Sequence, residues 1–260
     1  MLRVEENKFW FSLADSDILL WVKGIALGNN YDVIVNEPFV SPLAVQGPKA
    51  EDLMTDLLGE WVRELKFFRC QQTTLNSIPF ILARSGWSKQ GGFELYLQDS
   101  RYGEELWDSI MLAGKPYNIA PGAPSNIERI ESGLLSFGSD MDFTNNPFEV
   151  GLDKFINLER EHDFIGKEAL IEIKETGLKQ KLCGLEFFEQ SVSSNKNRWP
   201  VLKGDKQFGT VRSACYSPRL KKNLAFAMLS IQCSEPGTQV SVQTPEILVE
   251  AKVCDLPFTN

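Results

Sequence analysis

The 260-residue sequence predicts an α+β domain over residues 1–176 followed by a small antiparallel β-barrel over residues 177–260. Three observations predict it. The first part mixes strands of alternating character with segments of helical period. Beyond Gly177 the texture changes to short strands punctuated by Gly, Pro and Ser. A hydrophobic content of 43% and a charged content of 24% are globular values, and the length can bury a sizeable core.

In order, Lys8 to Leu13 reads as a strand close to the first residue, and Asp15-Ser16-Asp17 as the N-cap of a helix carrying Ile18, Leu19, Val22 and Ile25-Ala26. A buried-looking strand with no lead-in predicts that N-terminal material of this fold lies outside the sequence. Tyr31 to Val35 and Leu43 to Val45 alternate as short strands. Pro48 then opens a helix whose Ala50, Leu53, Met54, Leu57 and Leu58 share a face, and Gly59 stops it. Ile78 to Ala83 and Phe93 to Leu97 are strands. A helix with Leu106, Trp107, Ile110 and Met111 inward follows, and Ser125 or Asn126 caps another with Ile127, Ile130 and Leu134 inward. A helix after Phe164-Ile165-Gly166 ends near Gly177. Barrel strands are expected at 181–187, 209–213, 223–231, 239–242 and 247–253.

Composition excludes several function classes. With 27 basic and 35 acidic residues the formal charge is −8, which disfavours a nucleic-acid partner. No stretch approaches the roughly 20 apolar residues of a membrane span. Five scattered cysteines without CxxC spacing and a single histidine, His162, predict neither a disulfide framework nor a metal site, with a reducing cytoplasm as the expected location. GxGxxG and GxxxxGK[ST] motifs are absent. Glu149 and Asp153 could pair as acids, but spacing alone does not bring them together.

The loop Arg84 to Gly92 is the most suggestive local feature. Its adjacent glycines permit close backbone approach, and Trp87 supplies a flat face. On the strand after it, Glu94 and Tyr96 share one face ~7 Å apart. A carboxylate has two adjacent acceptors, suited to a heterocycle edge with two adjacent donors, although composition alone favours a plain hairpin with a polar outer face. Arg129 and Glu131, on the polar side of their helix, read as a solvated face. Gln46-Gly47-Pro48 reads as a strand-to-helix turn.

As a set these segments resemble the aminomethyltransferase (glycine-cleavage T-protein) superfamily. Leu43-Ala44-Val45-Gln46-Gly47-Pro48 is similar to its L-A-L-Q-G-P, and Arg84-Ser85-Gly86-Trp87 with Gly91-Gly92-Phe93-Glu94-Leu95 to its R-T-G-Y-T-G-E-D-G-F-E-I hairpin. Arg129-Ile130-Glu131-Ser132-Gly133-Leu134 resembles R-L-E-A-G-L. Phe164-Ile165-Gly166-Lys167-Glu168-Ala169-Leu170 resembles F-I-G-K-E-A-L, and Ser217-Pro218-Arg219-Leu220-Lys221-Lys222-Asn223 resembles S-P-x-L-K-K-N. The resemblance covers roughly the last two thirds of a family member and implies a folate-binding fold with ferredoxin-like pieces, then the barrel, with the folate pocket expected between them. Pro124-Ser125-Asn126 replaces the A-R-D of aminomethyltransferases, and the cysteine of the iron–sulfur-maintenance branch is absent near Gly166. Lys66-Phe67-Phe68 and the segments 83–92 and 121–135 are more similar to the dimethylsulfoniopropionate demethylase branch.

That resemblance implies methyl transfer from the sulfonium of dimethylsulfoniopropionate to tetrahydrofolate, giving 5-methyltetrahydrofolate and methylmercaptopropionate. Alternatives are an aminomethyltransferase of the glycine cleavage system and a non-catalytic folate-binding module; a homodimer is left open. A sulfonium is already a good leaving group, so positioning and water exclusion dominate, and no acid–base residue or metal is assigned. The resemblance implies folate contacts at Glu94, Tyr96, Arg129 and Tyr216. A cationic substrate favours aromatic faces, with Trp87 first and Trp61 and Phe68 after it.

Overall fold

The computed structural model describes residues 1–13, 17–188 and 194–259, so Asp15 and Ser16 of the expected cap lie outside the described residues. Asp17 accepts a hydrogen bond from the Leu19 amide at 2.8 Å. The chain forms two compact units, Met1–Pro124 and Ser125–Asn260.

The first unit is built on a four-stranded antiparallel sheet of β3 (Ser41–Gln46), β4 (Cys70–Leu75), β5 (Ile78–Ala83) and β6 (Gly92–Leu97), in the order β3-β6-β5-β4. Phe80, Leu82, Phe93, Leu95 and Leu97 project from one face onto Leu53 and Met54 of α2 (Ala50–Leu58) and Leu106 and Ile110 of α4 (Gly103–Ala113). The short α3 (Trp61–Glu64) adds Val62 to this core. On the opposite face, Ile81, Ala83 and Tyr96 are covered by Leu2 and Val4 of β1 (Leu2–Glu5) and Trp10 of β2 (Lys8–Trp10). Burial on both faces explains why β5 reads as a near-continuous apolar run.

Three expectations in this unit are corrected. Tyr31 to Val35 is not a strand. Its alternation finds no partner, and the Val33 amide turns back onto the Tyr31 carbonyl at 2.9 Å. Trp107 points outward, 39% exposed, and Leu106 and Ile110 are the residues α4 buries. The strand β4 was not expected, since its Gln71, Gln72, Thr73 and Thr74 lack an apolar period. It is joined to β5 by Asn76-Ser77, both with positive φ, a two-residue turn usually written Asn-Gly. Helix α1 (Leu19–Gly28) forms as expected but buries no residue.

The second unit is a closed six-stranded antiparallel barrel of β7 (Gln180–Phe187), β8 (Trp199–Lys203), β9 (Lys206–Ser217), β10 (Lys222–Ser230), β11 (Gln239–Gln243) and β12 (Leu248–Cys254), with two helices, α5 (Asn126–Glu131) and α6 (Lys167–Thr176). Closure leaves no unpaired edge. Its interior is filled by Leu185, Phe187, Trp199, Val211, Val249 and their neighbours. A second cluster on the outer side packs Leu224, Phe226 and Met228 of β10 against Ile130 and Val150. The strand β8 was not expected because Pro200 interrupts its pattern; a Gly204-Asp205 turn pairs it with β9. The helix α5 is capped by the Ser125 hydroxyl, which accepts from the Glu128 amide at 3.3 Å. It ends in a Schellman turn: Leu134 and Gly133 amides return to the Arg129 and Ile130 carbonyls, with Gly133 at φ +70°.

Candidate functional site

In the first unit the loop 84–92 is pinned to the sheet at its mouth. Gln46, the last residue of β3, donates from Nε2 to the Ser85 carbonyl at 3.1 Å and the Phe93 carbonyl at 3.2 Å. Its Oε1 accepts from the Ser88 hydroxyl at 2.9 Å. The fit is close: a Cβ on Gly86 would lie 2.0 Å from Gln46 Oε1, and one on Gly92 would lie 2.4 Å from the Val45 carbonyl oxygen. Gly92 also holds φ +142°, a region side chains rarely adopt. These glycines therefore serve the loop's own packing on β3. At the loop base Arg84 pairs with Glu51 of α2, donates to the Leu65 carbonyl at 3.1 Å and lies over the Phe93 ring.

Pinning the loop sets Ser85 against Glu94. The Ser85 hydroxyl and, at 3.4 Å, the Tyr96 hydroxyl both donate to Glu94 Oε2. Glu94 is only half-buried, and its cross-strand partners are Ala44 and Ala83. Directly opposed residues share a sheet face, so two small methyl side chains flank the carboxylate. Tyr96 is 6% exposed and packed with Ile81 and Ala83, with the Trp10 ring 6.4 Å away, so it positions Glu94 and offers little surface of its own. Burial, with the Glu94 charge adding to it, raises the Tyr96 phenol above its ordinary pKa.

Of the aromatic candidates, Trp87 stands two residues beyond Ser85 in the pinned loop and is 37% exposed. Trp61 packs on the main core, its indole N–H spent on the Leu58 carbonyl at 2.7 Å. Phe68, exposed at φ +57°, lies 4.2 Å from the Phe67 ring.

In the second unit Arg129 and Glu131 overturn the reading of a solvated helix face: they are 3% and 2% exposed. Arg129 pairs with the fully buried Asp140, donates to Ser213 of β9 at 3.1 Å and to the Leu134 carbonyl at 3.1 Å, and lies over the Phe226 ring. Glu131 accepts from Ser217, also of β9, and from Arg219. Two alternate residues of one short helix thus clamp it onto one barrel strand. Tyr216, between those serine positions, is 43% exposed. His162 lies exposed in its loop, and Glu149 is buried, accepting from the Asn146 amide and Gln180. Among the described residues no group of three or more His, Cys, Asp or Glu is arranged to hold a metal, and no helix is long and apolar enough to cross a membrane.

Ser85 and Gln46 were given no site role in the sequence, where Gln46 read only as part of a turn, and neither were Asp140 and Ser213; Ser217 entered only beside Tyr216, as a residue closing the pocket. The first two lie inside segments that resemble family motifs, but the role of Gln46 depends on Ser85, 39 positions away, and that of Ser85 on a loop folding back onto Glu94.

Residues 1–160 match the model of the GCVT N-terminal domain, and residues 180–260 that of the glycine cleavage T-protein C-terminal barrel domain. The chain belongs to the aminomethyltransferase (glycine cleavage T-protein) family. Dimethylsulfoniopropionate demethylase DmdA of Ruegeria pomeroyi is 43% identical over 94% of this chain and 66% of its own length. The aminomethyltransferase of Alkaliphilus oremlandii is 35% identical over 88% of this chain and 62% of its own length. The chain thus spans slightly less than two thirds of these relatives. The fold matches the crystal structure of glycine cleavage system aminomethyltransferase T from Bartonella henselae, with a TM-score of 0.77 at 21% identity, covering 93% of this chain and 65% of that one. In this chain the clamp accounts for Arg129 and Glu131 of the R-I-E-S-G-L segment by packing.

Proposed function

We propose that this chain acts in tetrahydrofolate-dependent one-carbon transfer, as a demethylase moving a methyl group from dimethylsulfoniopropionate to tetrahydrofolate. The observation that carries the proposal is the half-buried Glu94 carboxylate, oriented by Ser85 and Tyr96 and flanked by Ala44 and Ala83. The 43% identity to a demethylase of that substrate supports the choice of methyl donor.

The residues present fit the pterin. The hydrogen bonds from Ser85 and Tyr96 both arrive at Glu94 Oε2, which leaves Oε1 to accept one N–H of the ring's donor edge. When bound, tetrahydrofolate supplies the N5 amine that receives the methyl group. The chain's own part is positioning: Ser85 and Tyr96 hold the carboxylate, Gln46 holds the loop, and the loop presents Trp87 to a sulfonium cation. In the second unit Tyr216 is exposed on the barrel, and Arg129 shapes that unit from inside. The five free cysteines fit a reducing cytoplasm.

A second reading, aminomethyl transfer from a lipoyl carrier, draws on the 35% identity to an aminomethyltransferase. The absence of the A-R-D arginine at Pro124-Ser125-Asn126 weighs against it. The two separate in one assay. Incubation with tetrahydrofolate and dimethylsulfoniopropionate yields 5-methyltetrahydrofolate on the first reading. Turnover only with an aminomethylated carrier, giving the methylene derivative, selects the second.

A further inference from the structure

Strand β9 carries one residue more than its partner between two ladder positions. Phe226 of β10 opposes Ser213, and the next residue, Ala227, opposes Val211, so Arg212 is the extra residue of a β-bulge. A bulge re-aims the side chain it carries. Here the bulge is fixed from outside: the Asn195 side chain donates to the Arg212 carbonyl at 3.0 Å and accepts from the Ala214 amide at 2.7 Å. Three residues after Asn195 comes Arg198, and the two guanidinium groups converge on one carboxylate, Asp142.

That carboxylate does not satisfy both. Asp142 accepts from Arg198 at 2.8 Å and from the Thr144 amide at 2.9 Å, as well as from the Thr144 hydroxyl. Arg212 Nη1 stands 3.6 Å away, too far for a hydrogen bond. The Arg212 side chain is nevertheless only 7% exposed. Among the described residues, three buried side-chain nitrogens lack an acceptor: Arg212 Nε, Arg212 Nη1 and Asn145 Nδ2. Asn145 belongs to the same network, its Oδ1 accepting from the Asp142 amide at 3.1 Å. All three are donors, and a buried donor without an acceptor is costly. With Asp140, which also faces Arg212, taken by Arg129, three arginines against two aspartates leave one positive charge uncompensated, in a chain whose formal charge is −8.

We propose that Arg212, Arg198 and Asn145 form a carboxylate-binding site on the second unit. A carboxylate supplies two adjacent acceptors for a planar guanidinium fork, and a second cation beside it stabilises the same charge. Arg198 is half-exposed, while the Arg212 side chain and Asn145 Nδ2 are buried beside the same aspartate. Burial and the neighbouring Arg198 both disfavour the charge on Arg212, which a bound anion relieves. The inference stands on the second unit alone and does not depend on the folate reading. The carboxylate can come from a dicarboxylate tail of glutamyl type or from a short monocarboxylate chain.

Isothermal titration of the whole chain with glutarate, propionate and the neutral glutaramide tests it. The expected result is binding of at least one carboxylate and none of glutaramide. Binding of glutarate alone assigns a dicarboxylate, and equal binding of propionate assigns a single carboxylate. Arg212→Gln and Arg198→Gln should each weaken the interaction about tenfold or more. Asp142→Asn should tighten it, by removing the competing internal anion. No binding by the wild type overturns the proposal, as does binding unchanged in both arginine variants. Where Arg212→Gln fails to fold, Arg198→Gln decides, since Arg198 is half-exposed and unfolding is not expected of it.

Discussion

Ser85 donates its hydroxyl to Glu94 across the mouth of a hairpin loop, on the carboxylate oxygen that also accepts from Tyr96. This contact ties the loop carrying Trp87 to the strand carrying the carboxylate. It exists because Gln46 holds the Ser85 carbonyl from a neighbouring strand. The consequences can be measured one residue at a time.

Ser85→Ala removes one of the two side chains that orient Glu94. Tetrahydrofolate affinity should fall by about 1 kcal/mol, roughly fivefold in Kd, with unfolding by urea nearly unchanged. Because Ser85 is only part-buried, a large loss of stability would instead make it a structural residue.

Gly92→Ala should destabilise the first unit by about 1–3 kcal/mol in equilibrium denaturation. The new Cβ meets backbone, the Val45 carbonyl oxygen, at 2.4 Å and sits at φ +142°. Gly138→Ala is the comparison, since a Cβ placed there meets nothing within 4 Å and only its φ of +89° opposes the change; it should cost less.

Arg129→Met leaves the fully buried Asp140 without its cation. Breaking a buried ion pair from one side costs about 3–5 kcal/mol. The loss should appear in the denaturation midpoint of the second unit. If the midpoint is unmoved, α5 is not clamped to β9 through this pair.

The sequence conveyed the sheet strands β5 and β6 and helix α2 because apolar period and burial coincide there. It conveyed the antiparallel barrel from turn residues, yet hid β8 behind Pro200 and β4 behind polar side chains. Glu94 was legible because it alternates with buried Phe93 and Leu95. Arg129 and Glu131 were misjudged because a charge on a helix gives no sign that Asp140, Ser213, Ser217 and Arg219 wait opposite. The bulge at Arg212 had no sequence signal at all, since it depends on the register of β9 against β10.

Burial raises the thiols of Cys183 and Cys215 to about 11 and that of Cys254 to about 12, from an ordinary value of 9.0. Between those limits the unfolded chain has released protons that the folded chain retains. Stability contributed by these groups is therefore complete below pH 9 and declines as pH rises toward 11–12. A variant with all three changed to alanine should show a shallower decline over that window. Equal slopes would mean the thiols are not shielded.

Trp87→Ala should raise the KM for dimethylsulfoniopropionate while leaving tetrahydrofolate affinity within about twofold, whereas Trp87→Phe should retain part of the effect. A loss of about 0.5–2 kcal/mol is expected for a cation held against an aromatic face. Equal losses for sulfonium and folate would place Trp87 in loop folding and not in donor binding.

The most direct test of the account is calorimetric titration of tetrahydrofolate into the wild-type chain and Glu94→Ala, with both first checked for the same thermal unfolding. A charge-assisted hydrogen bond to the pterin predicts that the variant loses roughly 2 kcal/mol or more, about thirtyfold in Kd. Indistinguishable affinities in two equally folded proteins would contradict it.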